Sequence, residues 1–149
     1  MPISELCNRE VVVIQKDEPV LEAARLMRQH HVGDVIIVEE QSGIKKPIGI
    51  VTDRDIVVEI MATELDPAVI TVGDITVPKL VTVQENTGIF DVIQYMRRKA
   101  VRRSPVIDDR GELIGIITLD DLLQLLAEEL SELATLAKRE IEKEIKQRP

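Results

Sequence analysis

Aromatic residues are nearly missing from this chain. Tyr95 and Phe90 make up 1% of its 149 residues, and there is no tryptophan. Its core must therefore be aliphatic, and a planar ligand would lie between Val, Ile and Pro side chains rather than stack on rings. Cys7 is the single cysteine, so an intrachain disulfide is excluded, which suits a reducing compartment. The first residues carry no basic run leading into an apolar stretch, so a cytoplasmic location is expected. No apolar run approaches the ~20 residues of a membrane helix. Positive charge is scarce: 19 Lys and Arg stand against 27 Asp and Glu, for a net charge of -8. That balance argues against nonspecific nucleic-acid binding, which runs on summed basic charge. His30 and His31 are adjacent and point apart on a helix, with no Cys or carboxylate cluster at ligand spacing, so no metal is expected. Cys7 has no sequence-near His, and nucleophile, base and acid nowhere form a legible set, so an enzyme is not expected.

What the chain does have is repetition. "IGIVTDRD" at 48–55 returns as "IGIITLDD" at 114–121. With an offset of 69, residues 11–40 fall on 80–109, and Gln15, Met27, Arg28 and Val32 meet Gln84, Met96, Arg97 and Val101. After three extra residues in the first copy the offset becomes 66. Each copy reads as strand, helix, strand, strand, helix. A short apolar strand ("EVVVI", "KLVTV") comes first, and Asp17 or Asn86 then offers a helix N-cap. An amphipathic helix follows, ending near His31 or Ala100. Two apolar strands joined by a polar turn come next, and a helix follows each Thr-x-x-Asp. The predicted segments are repeat one at 1–62, a linker at 63–75, repeat two at 76–127 and a helical extension at 128–149. A unit of about 50 residues buries too little surface to stand alone, so the copies are expected to share one core as a pseudo-symmetric pair.

The Thr-x-x-Asp phrase has two readings. As a capping box, the hydroxyl accepts from a backbone N–H and the carboxylate reaches back. As a ligand site, the helix N-terminus attracts an anion, the carboxylate accepts from a ribose diol, and the preceding Gly allows close approach. The phrase alone leaves both open.

The tandem strand-helix boundaries, "VGDVIIV" with "IGIVTDRD" and "VRRSPVID" with "IGIITLDD", resemble the CBS domain family, named after cystathionine β-synthase, over residues 1–127. The resemblance implies an α/β (α+β) fold of two CBS repeats about a pseudo-two-fold, here with a long C-terminal helix. It implies two cross-built clefts that bind adenosine compounds (AMP, ADP, ATP or S-adenosylmethionine), a non-catalytic regulatory role in signal transduction, and a homodimer acting on a partner. Carried over by position, one cleft takes Ile50, Thr52, Arg54 and Asp55 with Thr76, Val81, Val101, Arg102, Arg103 and Pro105. The other, weaker cleft takes Ile116, Thr118, Asp120 and Asp121 with Cys7, Val12, Val32, Gly33, Asp34 and Ile36. The first would meet phosphates with three arginines, while the second, with Asp34, Asp120 and Asp121, would suit a neutral or cationic ligand. The bland reading of "MRRKAVRR" is a solvated helix end.

Residues 119–147 contain neither Gly nor Pro, and Leu119, Leu122, Leu126, Leu130, Leu133 and Ala137 recur at spacings of three and four. Glu142 with Lys146 and Glu144 with Arg148 form favourable (i, i+4) pairs. The stripe suits packing on a partner chain, or folding back on the module. A ligand-independent scaffold acting through this helix is the alternative to sensing.

Overall fold

The computed structural model describes residues 1–76 and 79–148. It divides into two units, Met1–Ile117 and the helical stretch from Thr118. In the first unit the elements run β1 (Val13–Gln15), α1 (Val20–His30), β2 (Asp34–Gln41), β3 (Ile44–Thr52), α2 (Asp53–Ile56), α3 (Val72–Ile75), β4 (Val83–Gln84), α4 (Ile89–Lys99), β5 (Arg103–Ile107) and β6 (Leu113–Thr118), whose last residue opens the second unit. The α2 helix continues as a π-helical turn over Val57–Met61. The second unit is α5 (Leu119–Gln147).

Each repeat forms its own three-stranded sheet, β1-β2-β3 and β4-β5-β6. In the first, β1 runs parallel and β3 antiparallel to β2. The β2–β3 hairpin turns on Ser42 (φ 54°) and Gly43 (φ 78°), the left-handed pair a tight hairpin requires. The buried faces of α1 and α4 are the same three positions, Val20, Ala23 and Met27 against Ile89, Val92 and Met96. Both helices stop at a left-handed residue, His31 (φ 56°) and Ala100 (φ 55°).

The repeats exchange their lead-in segments. Ile3 N–H donates to Thr87 O (2.8 Å) and Ser4 N–H to Glu85 O (3.1 Å). At the positions 69 further on, Val72 N–H donates to Glu18 O and Gly73 N–H to Lys16 O, both at 2.9 Å. The segment before each repeat thus lies on the other repeat, and Val72 is fully buried in the first repeat's core with Ile14, Val35, Ile37 and Val51. A second cluster, Ile36 and Val38 of β2 with Ile116 of β6, joins the two sheets.

This exchange explains a difference from the sequence reading. Neither Asp17 nor Asn86 caps a helix: Pro19 and Gly88 hold the N-cap positions without side-chain hydrogen bonds. The first free N–H groups are taken by the other lead-in instead, Val20 N–H by Ile70 O (2.9 Å), Leu21 N–H by Pro67 O (2.9 Å) and Ile89 N–H by Met1 O (3.2 Å). The first strands are also shorter than the apolar runs suggest, beginning at Val13 and Val83. Among the described residues, no helix is long and apolar enough to cross a membrane.

Candidate functional site

Thr52 ends β3 and caps α2. Its Oγ1 accepts from Asp55 N–H (3.1 Å), and Asp55 Oδ2 accepts from Thr52 N–H (2.9 Å). The capping box is therefore real, and among the described residues it occurs twice more, at Thr71/Asp74 and, within the helical unit, at Thr118/Asp121. Asp74 is solvent-exposed, and hydrogen bonds from the backbone and then the side chain of Thr71 hold its carboxyl below the ordinary value of 3.8. A box of this kind is thus not a ligand marker by itself.

A cleft of about 390 Å³ lies in front of Thr52/Asp55, within the range of small-molecule sites. From repeat one come Ile50, Thr52, Asp53, Arg54 and Asp55. The lead-in to repeat two adds Ile75, Lys79, Leu80 and Val81, and the corner between α4 and β5 adds Val101, Arg102 and Arg103. The cleft is built across the repeats. Eight of the ten residues assigned to it from the sequence line it. Thr76 does not: its hydroxyl donates to Val72 O and its methyl packs on Gly49. Pro105 is buried within β5.

Four residues on this wall escaped the sequence reading: Asp53, Ile75, Lys79 and Leu80. Lys79 matters most, because it makes four cations against the two carboxylates of Asp53 and Asp55. Its signal was available, since it lies two positions before Val81 on the same lead-in. The Arg54, Lys79 and Arg102 side chains have no ion-pair partner among the described residues. Arg103 does: its Nη1 donates to Asp34 Oδ2 at 2.8 Å, with both side chains largely covered. Four cations against two carboxylates leave this lining net positive in a chain of net charge -8.

The residues assigned to the other cleft belong to both units, and each is described within its own. Val12 and Val32 line a separate cavity of about 640 Å³ with Arg9, Glu10, Leu26 and His30. Cys7 is buried near Gly115, Ile36 and Ile116 lie in the inter-sheet core, and the Gly33 carbonyl accepts from Asp53 N–H (2.9 Å). Asp34 is bonded to Arg103. Thr118, Asp120 and Asp121 open the helical unit, where Asp121 is held by the Thr118 box and Asp120 is exposed. Among the described residues, no three His, Cys, Asp or Glu side chains converge as a metal set.

The CBS domain family model matches residues 3–62 and 72–128, and the chain belongs to that family as a tandem pair. Such pairs are regulatory modules, typically without catalytic activity. Protein MK0525 of Methanopyrus kandleri is 36% identical over 123 residues, which are 83% of this chain and 61% of that longer protein. Hypoxic response protein 1 of Mycobacterium tuberculosis is 32% identical over 124 residues, 83% of this chain and 84% of that protein. Its crystal structure, with two coordinated zinc ions, superposes with a TM-score of 0.72 at 31% identity, covering 83% and 98% of the two chains. The CBS pair of protein MJ0100, solved with 5'-methylthioadenosine and S-adenosyl-L-methionine, has a TM-score of 0.74 at 22% identity, covering 87% and 98%, and speaks for the fold alone.

Proposed function

We propose that this CBS pair is a sensor that binds an adenine nucleotide in the Thr52/Asp55 cleft and passes its occupancy to a partner protein. The reading rests on one observation, the convergence of Arg54, Lys79, Arg102 and Arg103 beside Asp55 in a cleft of nucleotide size. Asp55 spends one carboxylate oxygen on the cap, and its other oxygen has no protein partner among the described residues, so it can accept from a ribose hydroxyl. The base would lie between Ile50, Val81 and Val101, as the shortage of aromatics requires. Arginine forks and a lysine suit the phosphates.

A ligand that binds only the folded state raises its stability. A thermal-shift panel of AMP, ADP, ATP, S-adenosylmethionine and adenosine should therefore raise the melting temperature most with a phosphate-bearing compound. Arg102→Ala should remove most of that gain while leaving the shift with adenosine. A panel without any shift would sink the sensor reading.

The exposed face of α5 favours a second reading, a scaffold that assembles without ligand. Leu126, Leu130, Leu133, Leu136, Ile141 and Ile145 are all solvent-exposed, more apolar surface than a lone surface helix ordinarily shows. The two readings are compatible in a homodimer. Sedimentation with Leu130→Asp and Ile141→Asp together reports on the second: assembly that persists unchanged excludes α5 as its basis.

A further inference from the structure

A two-fold axis brings equivalent positions of two repeats face to face. Asp34 and Arg103 are such a pair, 69 residues apart and bonded to each other at 2.8 Å. Each is the first residue of the middle strand of its sheet, β2 or β5. Had the repeats stayed alike, two aspartates or two arginines would meet here and repel. Divergence to opposite charges turned the contact into a tie between the repeats.

The tie ends at the cleft. Arg103 lines it and Asp34 does not. Asp34 stands opposite Thr52 in the β2–β3 ladder, so its carboxylate sits beside the strand end that carries the capping box. We infer that Asp34 competes with ligand phosphate for the Arg103 guanidinium, and so sets how strongly the cleft prefers phosphate-bearing over uncharged ligands. The inference rests on reading this cleft as an anion site. A phosphate that takes the Nη1 donor now given to Asp34 must replace that bond and leave the carboxylate exposed to an anion of like sign. Arg54, Lys79 and Arg102 carry no such restraint among the described residues, so they attract the anion first, and Asp34 limits the last increment. Asp34 here is a specificity residue acting through Arg103, without ligand contact of its own.

The test uses calorimetry on the full chain with inorganic pyrophosphate, ATP and adenosine. Four proteins are compared: wild type, Asp34→Asn, Arg103→Ala and the double variant. Asn keeps the size and one acceptor while removing the charge, and a melt of each protein checks the fold. Asp34→Asn should bind pyrophosphate and ATP about five-fold more tightly, the order of a partly exposed ion pair, with adenosine unchanged. In the Arg103→Ala background the same substitution should gain nothing. Unchanged or weaker phosphate binding by Asp34→Asn would mean that Asp34 supports Arg103, and would overturn the inference, as would a gain that persists without Arg103. If pyrophosphate binds with this pattern while ATP and adenosine fail, the adenosine reading falls and the competition stands. If no phosphate binds any of the four proteins, both fall.

Discussion

Adding one methyl group at Gly115 should cost this protein far more than its size suggests. Gly115 lies in β6, where the lead-in of the first repeat crosses it. A Cβ there would sit 2.7 Å from Cys7 Sγ and 2.8 Å from Asn8 O. Asn8 cannot retreat freely, because its N–H donates to Ile116 O and its carbonyl accepts from Ile116 N–H, both at 2.9 Å. Overpacking costs about 1–3 kcal/mol, and each weakened backbone hydrogen bond about 1 kcal/mol. Gly115→Ala should therefore lose about 2–4 kcal/mol, offset by at most about 1 kcal/mol from replacing a strand glycine. Urea unfolding of wild type and variant measures this directly. The equivalent Gly49 offers the control. Its added Cβ would meet the methyl of Thr76 and, at 3.4 Å, Ile37 Cδ1, side-chain atoms only. Thr76→Ser should then restore most of the stability lost in Gly49→Ala, whereas Cys7→Ala should restore only part of the loss in Gly115→Ala, because the Asn8 backbone remains. A Gly115→Ala protein within about 0.5 kcal/mol of wild type, the range of an inert surface change, would refute the idea that these glycines exist to admit the exchanged segments.

Three further outcomes are expected. Asp55→Ala should lose about 1 kcal/mol of stability with its cap and weaken nucleotide binding about tenfold or more with its charged hydrogen bond; parallel melts and titrations separate the two, and unchanged affinity would return Asp55 to structure alone. Ala100→Gly should stabilise the protein by about 1 kcal/mol, because Ala100 holds a left-handed φ of 55° that costs a residue with a Cβ; a destabilised variant in denaturant unfolding would contradict it. Asp74 has a folded-state pKa held below 3.8 by Thr71, so its contribution is present above that ordinary value and is lost as pH falls through the lower folded value. Asp74→Asn should accordingly flatten part of the acid limb of stability, read as the urea midpoint against pH, and an unchanged limb would refute the linkage.

Much of the fold can be read from local pattern, and the limits fall at contacts between the copies. The helical faces Val20-Ala23-Met27 and Ile89-Val92-Met96 follow from spacing, and α5 ends within its Gly- and Pro-free run. The (i, i+4) pair Glu144–Arg148 forms at 3.2 Å. Asp17 and Asn86 misled because a capping residue competes with any other acceptor, and here Ile70 O, Pro67 O and Met1 O arrive from the partner repeat. For the same reason the stretch 63–75 reads as a linker but contributes Val72 to the first core and its own capping box at Thr71. An apolar run reports burial and not what buries it, which is why "EVVVI" reads as strand from Glu10 although β1 begins only at Val13.

The cleft follows the same division. Residues on the Thr52 side and at the α4–β5 corner are adjacent in sequence to recognisable elements, and family resemblance carries them over. Lys79 lies two positions before Val81 and could have been carried over with it, whereas the Asp34–Arg103 bond depends on where the pseudo-axis falls, which only the assembled pair decides. Counting charges by sequence gave one cleft three arginines and the other three aspartates. The fold redistributes them: Arg103 stays on the cleft wall but is tied to Asp34 of the other repeat, and a lysine from the lead-in adds a fourth cation. Duplication supplied two equivalent frames, and the chemistry that distinguishes them lies in the few positions where the copies diverged. Those positions tell most at the axis, because there a single substitution changes what both copies meet.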